Sequence, residues 1–408
     1  MPSKTQASLW IVLFIIFLDW MGIGIVYPMF STMLFSTEGP LYDPNCSESA
    51  RGCYLGILLA AMPLAQFFSG PILGALSDQK GRKPLFIASL LLAVIAYGFS
   101  TLGVLTQSIF VLIASRFLIG IASGNVAIVS ATIADLSTPQ NKSKHFGLYS
   151  MACGIGFTIG PLVGGKLSEI SFELPFIVAG AATLLNLFLL FFLFSETHNA
   201  RSKASIRFDE GIRNLKKAFQ IQGLKATFIT VLLFCFGWSF FFEFLPVTWI
   251  FDYQLNSGEI GLFYAYGAGF YALSSGLLIR PIVNRYHSGA ILFYSLICLS
   301  IVFALSLLPL ERLWVWIYLP IINFLSALIF PTSTTMVSNW ATEETQGETL
   351  GILSSVQSAA FALSPLAAGS ILGNNPHMPM AIGSLAMIAG ALVLGIMLRK
   401  EIFFKKVT

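Results

Sequence analysis

The chain reads as long apolar runs separated by short polar breaks. Twelve runs approach or exceed the length of about 20 predominantly apolar residues that a helix needs to cross a bilayer. They fall at roughly 8–34, 54–77, 85–105, 108–134, 146–167 and 174–194, then at 224–251, 260–279, 290–308, 313–340, 350–372 and 380–398. The predicted fold class is an all-α membrane protein of twelve transmembrane helices. The first run is too long for a cleaved signal peptide and carries Asp19 in its middle, so it is expected to stay as a span. Composition agrees. Only 10% of residues are charged and 56% are hydrophobic, whereas a soluble domain is nearer 25% charged. That balance excludes an ordinary soluble enzyme and a disordered chain. A net charge of +4 over 408 residues makes no basic stripe, so no nucleic-acid partner is expected.

The Lys/Arg pattern orients the spans. With the N-terminus in the cytoplasm, 19 of the 23 bases fall on cytoplasmic segments and 3 on outer ones, with Arg116 inside a span. Both termini are therefore expected inside, although Glu343, Glu344 and Glu348 make one inner loop acidic. Two connections are long. The outer loop 35–53 holds Cys46 and Cys53, and on the outer, oxidising side a disulfide between them is chemically reasonable. The middle connection divides the chain into an N-terminal six-helix bundle (1–194), a cytoplasmic linker (195–223) and a C-terminal six-helix bundle (224–408). Within the linker Phe208, Ile212, Leu215 and Phe219 recur at helical spacing among Arg207, Arg213, Lys216 and Lys217. That pattern predicts an amphipathic helix on the inner leaflet.

The two halves repeat. Gly147-Leu-Tyr-Ser150 and Gly160-Pro161 of the fifth run correspond to Gly351-Ile-Leu-Ser354 and Ser364-Pro365 of the eleventh, at a constant offset of 204 residues. Asp135 and Asn339 keep the same offset. Parallel six-span repeats are an architecture of rocking secondary transporters, with the substrate site near the bilayer midplane.

Four local motifs sharpen this. Gly74-Ala-Leu-Ser-Asp78-Gln-Lys-Gly81-Arg82-Lys83-Pro84 stands between the second and third runs. Gly81 permits a tight turn. Asp78, Arg82 and Lys83 place opposite charges where they can latch and release, and Asp135 suits pairing at a helix end. The fifth run carries Gly147, Gly156, Gly160-Pro161 and Gly164-Gly165. Small residues four apart let backbones approach, and Pro161 removes a donor. The fourth run contains Arg116-Phe-Leu-Ile-Gly120 and Gly124, and the first contains Leu18-Asp19-Trp-Met-Gly22-Ile-Gly24-Ile-Val-Tyr-Pro28. Together these resemble the signatures of the major facilitator superfamily, and of its twelve-span drug/proton antiporters in particular, the tetracycline-exporter branch. Ser31 stands where that branch usually has a second proline. The resemblance implies a conformational gate at Asp78, Gly81, Arg82, Lys83, Asp135, Gly156, Gly160, Pro161, Gly164 and Gly165.

Charge inside a membrane is costly and marks candidate function. Asp19, Glu243 and Arg116 are the charged residues well inside runs. A carboxyl withdrawn from water holds its proton, and a nearby arginine loosens it. Asp19 is therefore expected to carry the proton with Arg116 as its tuner, and Glu243 to be a second carrier or a cation-recognition site. Trp20, Tyr27, Gln66, Phe67, Asn125, Phe157, Trp238, Phe241, Phe242, Tyr264, Tyr266 and Asn323 are expected to line a cavity suited to a bulky amphiphilic solute. The expected activity is proton-coupled efflux of a small organic compound by a monomer in a bacterial inner membrane. Import, or export of a metabolite or siderophore, is the alternative on the same fold. No cofactor or metal is expected: there is no GxxxxGK[ST] loop and no zinc-ligand spacing. Intramembrane polar groups too sparse for a membrane-embedded enzyme argue against catalysis.

Overall fold

The computed structural model describes residues 4–138, 141–197, 209–221, 223–308, 311–341, 345–373 and 375–397. Among them the helices are α1 (Lys4–Val26), α2 (Met29–Phe35), α3 (Glu48–Lys80), α4 (Arg82–Leu105), α5 (Ile109–Ser123), α6 (Val126–Asp135), α7 (Lys142–Ser168) and α8 (Leu174–Leu193). They continue as α9 (Glu210–Gln220), α10 (Lys225–Tyr253), α11 (Ser257–Leu273), α12 (Arg280–Arg285), α13 (Ser288–Leu305), α14 (Val315–Trp340), α15 (Gln346–Leu372) and α16 (Met378–Met397). Among the described residues, twelve segments are long and apolar enough to cross a membrane. α9 lies in the linker; the predicted helix residues Arg207 and Phe208 lie outside the described residues.

Three spans are interrupted. The first breaks at Tyr27-Pro28, where the proline has no N–H to continue the ladder. The fourth breaks at Gly124-Asn125. The eighth passes through a π-helical turn at Ser274–Leu278 and runs on to Arg285, beyond its predicted end at 279. The second starts at Glu48, six residues before its predicted start at 54.

The repeat is visible in the helices. α7 and α15 are each 27 residues long, start 204 residues apart and enclose Pro161 and Pro365. α1 packs along α7 and α8, and α4 along α5 and α8. In the other half α10 packs along α15 and α16, and α13 along α14 and α16. Each pairing has its counterpart six spans later.

The helices form two packing units. The first comprises Met1–Pro44, Ala61–Glu210 and Leu255–Ala265; the second comprises Asn45–Ala60, Gly211–Gln254 and Tyr266–Thr408. They depart from the sequence halves in two segments, and glycine explains both. In the second unit, the backbone of α3 meets that of α15: a Cβ on Gly52 would lie 2.7 Å from Gly369 O, and one on Gly56 3.2 Å from Gly369 Cα. In the first, a Cβ on Gly165 of α7 would lie 2.7 Å from Ser257 O and 3.1 Å from Gly261 Cα of α11. Between lipid-immersed helices, close van der Waals packing replaces hydrophobic burial as the adhesive.

Within the first unit, α7 lays Gly156 and Gly160 against α1. Their Cβ atoms would each lie 2.6 Å from a carbonyl oxygen, of Phe17 and Met21, and Gly164 sits directly on Ile25 O. Gly160→Val should cost at least about 1–3 kcal/mol by overpacking, read as a lower melting temperature of the purified protein.

Candidate functional site

The site is built around Asp19, two-thirds along α1. Asn186 of α8 is fully buried, and its Nδ2 donates to Asp19 Oδ1 at 2.7 Å and to Ile15 O at 3.0 Å; the second of these fixes the amide against α1. Asn125 lines the same chamber as that carboxyl. It owes its position to the break in span four, where Gly124 comes so close to α3 that a Cβ would lie 2.9 Å from the Ser69 carbonyl carbon. A cavity of about 140 Å³ opens beside these groups, lined by Asp19, Trp20, Gln66, Tyr97, Asn125, Tyr149 and Thr183, with apolar walls from Ile16, Ile23, Met62, Leu90 and Ile119. Gln66 is held by donating to Ser123 O at 3.2 Å. The arrangement is a carboxyl with two amides at an apolar chamber with a few aligned polar groups, the usual make-up of a small-molecule site.

Next to the chamber is an aromatic set. Phe157 stands edge-on to Trp20 at 6.0 Å and to Tyr27 at 6.3 Å, and Tyr27 edge-on to Tyr264 at 5.8 Å. All four belong to the first packing unit. Phe67 is buried against Phe68 at 5.0 Å and does not line the chamber.

Arg116 is 3% exposed but is not ion-paired with Asp19. Its Nη2 donates to Ser100 Oγ at 2.7 Å, and its guanidinium lies 5.4–5.8 Å from the rings of Phe30, Phe176 and Tyr97. The charge is sheltered by aromatic faces. The expected part of Arg116 as tuner of Asp19 would therefore be exerted without direct pairing. Tyr97 borders both groups, its ring beside the guanidinium and its side chain in the chamber wall.

The charged end of the unit gathers around Arg82, which is 4% exposed. Its Nη1 reaches Asp78 Oδ1 at 2.5 Å and Ser77 Oγ at 2.6 Å, and its Nε reaches Asp135 Oδ2 at 3.1 Å. Gly81 makes the turn with φ +99°, a conformation open to glycine. Glu196, beyond α8, accepts from the backbone N–H of Arg82 at 2.9 Å and of Lys83 at 3.0 Å. A carboxylate there satisfies the open amides of the α4 N-terminus and its dipole. Lys83 itself turns towards Phe191, 5.9 Å from the ring centroid.

The remaining predicted residues lie in the second unit. Glu243 is buried within α10. Trp238 stacks on Phe242 at 5.7 Å and stands edge-on to Phe330 at 6.3 Å. Phe241 is 1% exposed and stacks on Phe303 of α13 at 3.9 Å, so it is packing rather than cavity lining. Tyr266 donates to Trp316 O at 3.0 Å, and Asn323 Nδ2 donates to Leu319 O of its own helix at 2.9 Å. Cys46 and Cys53 are free thiols. In place of the expected disulfide, Cys53 lies in the second turn of α3 and Cys46 Sγ donates to Ser47 O at 3.7 Å.

Charge alone missed Asn186, Tyr97 and Glu196. An asparagine in the middle of an otherwise apolar span was the available signal, since buried amides must find partners. Asn186→Leu should lower transport about 10- to 100-fold, the worth of a hydrogen bond to a charged group, with folding judged by gel filtration and transport by vesicle assay.

Twelve spans in two repeated six-span sets define a secondary transporter fold. The family model of the Major Facilitator Superfamily matches residues 9–365, and the chain belongs to that superfamily. It is 29% identical over 378 residues to the tetracycline resistance protein, class C, of Escherichia coli, covering 89% of each chain. It is 27% identical over 390 residues to the quinolone resistance protein NorA of Staphylococcus aureus, covering 95% of each. Among solved structures, the human organic anion transporter MFSD10 (TETRAN) matches with a TM-score of 0.71 at 20% identity, over 97% of this chain and 100% of that one. The D-xylose-proton symporter matches with a TM-score of 0.72 at 16% identity, over 96% and 97%. These structural likenesses concern the fold. The protein is a multi-pass membrane transporter.

Proposed function

We propose that the protein exports a small amphiphilic organic compound in exchange for protons, by alternating access. The observation that carries this is the Asp19 carboxyl, held by Asn186 and with Asn125 beside it at the wall of an apolar chamber. A carboxyl in that setting can be discharged by a proton and recharged on release, changing the chamber's affinity for a cationic or polar solute with each exchange. Arg116, behind Tyr97, supplies fixed positive charge nearby. Relatives named for tetracycline and quinolone resistance support efflux as the direction and amphiphilic drugs as the substrate class. The driving force is the proton gradient, whose electrical part is ~2.3 kcal/mol per charge per 100 mV. Both termini face the cytoplasm in this reading, the membrane is a bacterial inner membrane, and the unit of transport is the monomer. The Arg82 cluster acts as a latch that holds α3, α4 and α6 together in one state of the cycle. Glu243 is a second proton or cation site.

The test is substrate-triggered proton movement in inside-out vesicles. A tetracycline, a fluoroquinolone and lipophilic cations would be added in turn to vesicles with a preformed pH gradient. Collapse of the gradient by at least one of them, and not in vesicles without the protein, is expected. No response to any compound would contradict drug–proton exchange.

A further inference from the structure

The transport site makes no use of α9, the helix in the linker. Advancing about 100° per residue, its side chains fall into three sectors. Gly211, Asn214 and Ala218 form the first. Gly211 and Ala218 are buried, and Asn214 Nδ2 donates to Ser355 Oγ at 3.1 Å. Lys217, at the edge of this sector, pairs with Glu348. This side is therefore seated on the beginning of α15. Ile212, Leu215 and Phe219 form a second, apolar sector, and the seat leaves it open: Ile212 is 44% and Phe219 41% exposed. Lys216 adjoins that strip, and Arg213 and Gln220 follow it round the helix. A largely uncovered apolar strip bordered by bases along one side is the design of a helix lying in a bilayer interface.

Two more observations set its depth and its partner. The connection from α9 runs directly into the apolar span α10, and Gly223 within it backs onto the indole of Trp340, which ends α14 and is 51% exposed. Tryptophan at the end of a span marks headgroup level. Residues 201–225 hold seven Lys/Arg against Asp209 and Glu210, a charge complement to negatively charged headgroups. A groove of about 580 Å³ runs beside the helix, lined among others by Lys217, Gln220, Trp340 and Ile352.

We infer that α9 is a docking surface for an anionic phospholipid of the cytoplasmic leaflet. Ile212, Leu215 and Phe219 enter the acyl boundary, and Lys216 with Arg213 takes the phosphate. Because the opposite side is fixed to α15 through Lys217–Glu348 and Asn214–Ser355, lipid bound there bears on the eleventh span. This inference adds a lipid partner to the transport reading and rests on it only for the choice of leaflet.

The experiment uses the full chain with its five cysteines replaced and Phe219→Cys labelled with bimane, reconstituted in phosphatidylcholine vesicles. Part of the lipid is exchanged for brominated phosphatidylcholine or an equal fraction of brominated phosphatidylglycerol. The brominated anionic lipid should quench the label about threefold more than the zwitterionic one. Lys216→Glu with Arg213→Glu should bring the two to parity while leaving quenching itself in place. Equal quenching in the parent overturns the anionic preference. No quenching by either lipid overturns the membrane contact and means that protein covers the strip. The wild-type chain supplies a second measurement that needs no cysteine replacement. After delipidation and exposure to an equal mixture, native mass spectrometry should find phosphatidylglycerol retained over phosphatidylcholine, with the preference lost in the double charge variant. Equal retention by both proteins overturns the proposal.

Discussion

Asp19→Asn should abolish proton-driven export while sparing exchange of substrate across the membrane. The expected loss in gradient-driven transport is roughly 100-fold or more, the scale on which an acid–base group contributes. Counterflow of labelled against unlabelled substrate should persist at saturating substrate, with the concentration needed for it shifted by the fixed neutral charge. The two readouts separate because the amide fills the same volume and still accepts from Asn186 Nδ2, now bonded to Asp19 Oδ1 at 2.7 Å, but cannot gain or lose a proton. A variant that loses both activities would assign Asp19 to packing or substrate binding. A variant that keeps both would remove it from the proton path.

The second large effect is expected at Arg82. Arg82→Ala takes away the one guanidinium that joins Asp78, Asp135 and Ser77, leaving two carboxylates with no cation between them. Breaking a buried ion pair costs about 3–5 kcal/mol. Here the acids are 40% and 24% exposed, so water recovers part, and about 2–3 kcal/mol is expected. Arg82→Lys should recover less than half of the loss, because one ammonium does not reproduce the planar fork that serves two carboxylates at once. Arg82→Ala combined with Asp135→Asn should melt higher than Arg82→Ala alone. Thermal denaturation of the four proteins checks this, and an Arg82→Ala protein that melts with the wild type would show that the cluster holds nothing together.

The spans were legible because a bilayer demands uninterrupted apolar length, and few soluble patterns imitate that. The repeat was legible because α7 and α15 keep one offset over their whole length. The helix interruptions were less so. Pro28 announces the break in span one, but Gly124-Asn125 reads like any other pair of small polar residues until the approach of α3 at Ser69 is seen. The site was legible in its charges and hidden in its neutral partners. Asn186 lies 167 residues from Asp19, and nothing in its local sequence points to that carboxyl. Arg116 and Asp19 were natural partners by charge, yet three aromatic rings hold the guanidinium where it is. Aromatic residues were the least legible of all. Phe241 and Phe242 are adjacent in sequence, and only the turn of α10 decides that Phe241 stacks on Phe303 while Phe242 stacks on Trp238.

The central claim is that Asp19 takes up and releases a proton. Infrared difference spectroscopy of the reconstituted protein, between acidic and alkaline buffer, reads that event without a substrate. Wild type should show a protonated-carboxyl band that disappears on the alkaline side, and Asp19→Asn should lack that band while keeping the amide envelope of a folded helical protein. Identical carboxyl bands in the two proteins would mean that Asp19 does not exchange a proton, and the coupling would have to lie elsewhere.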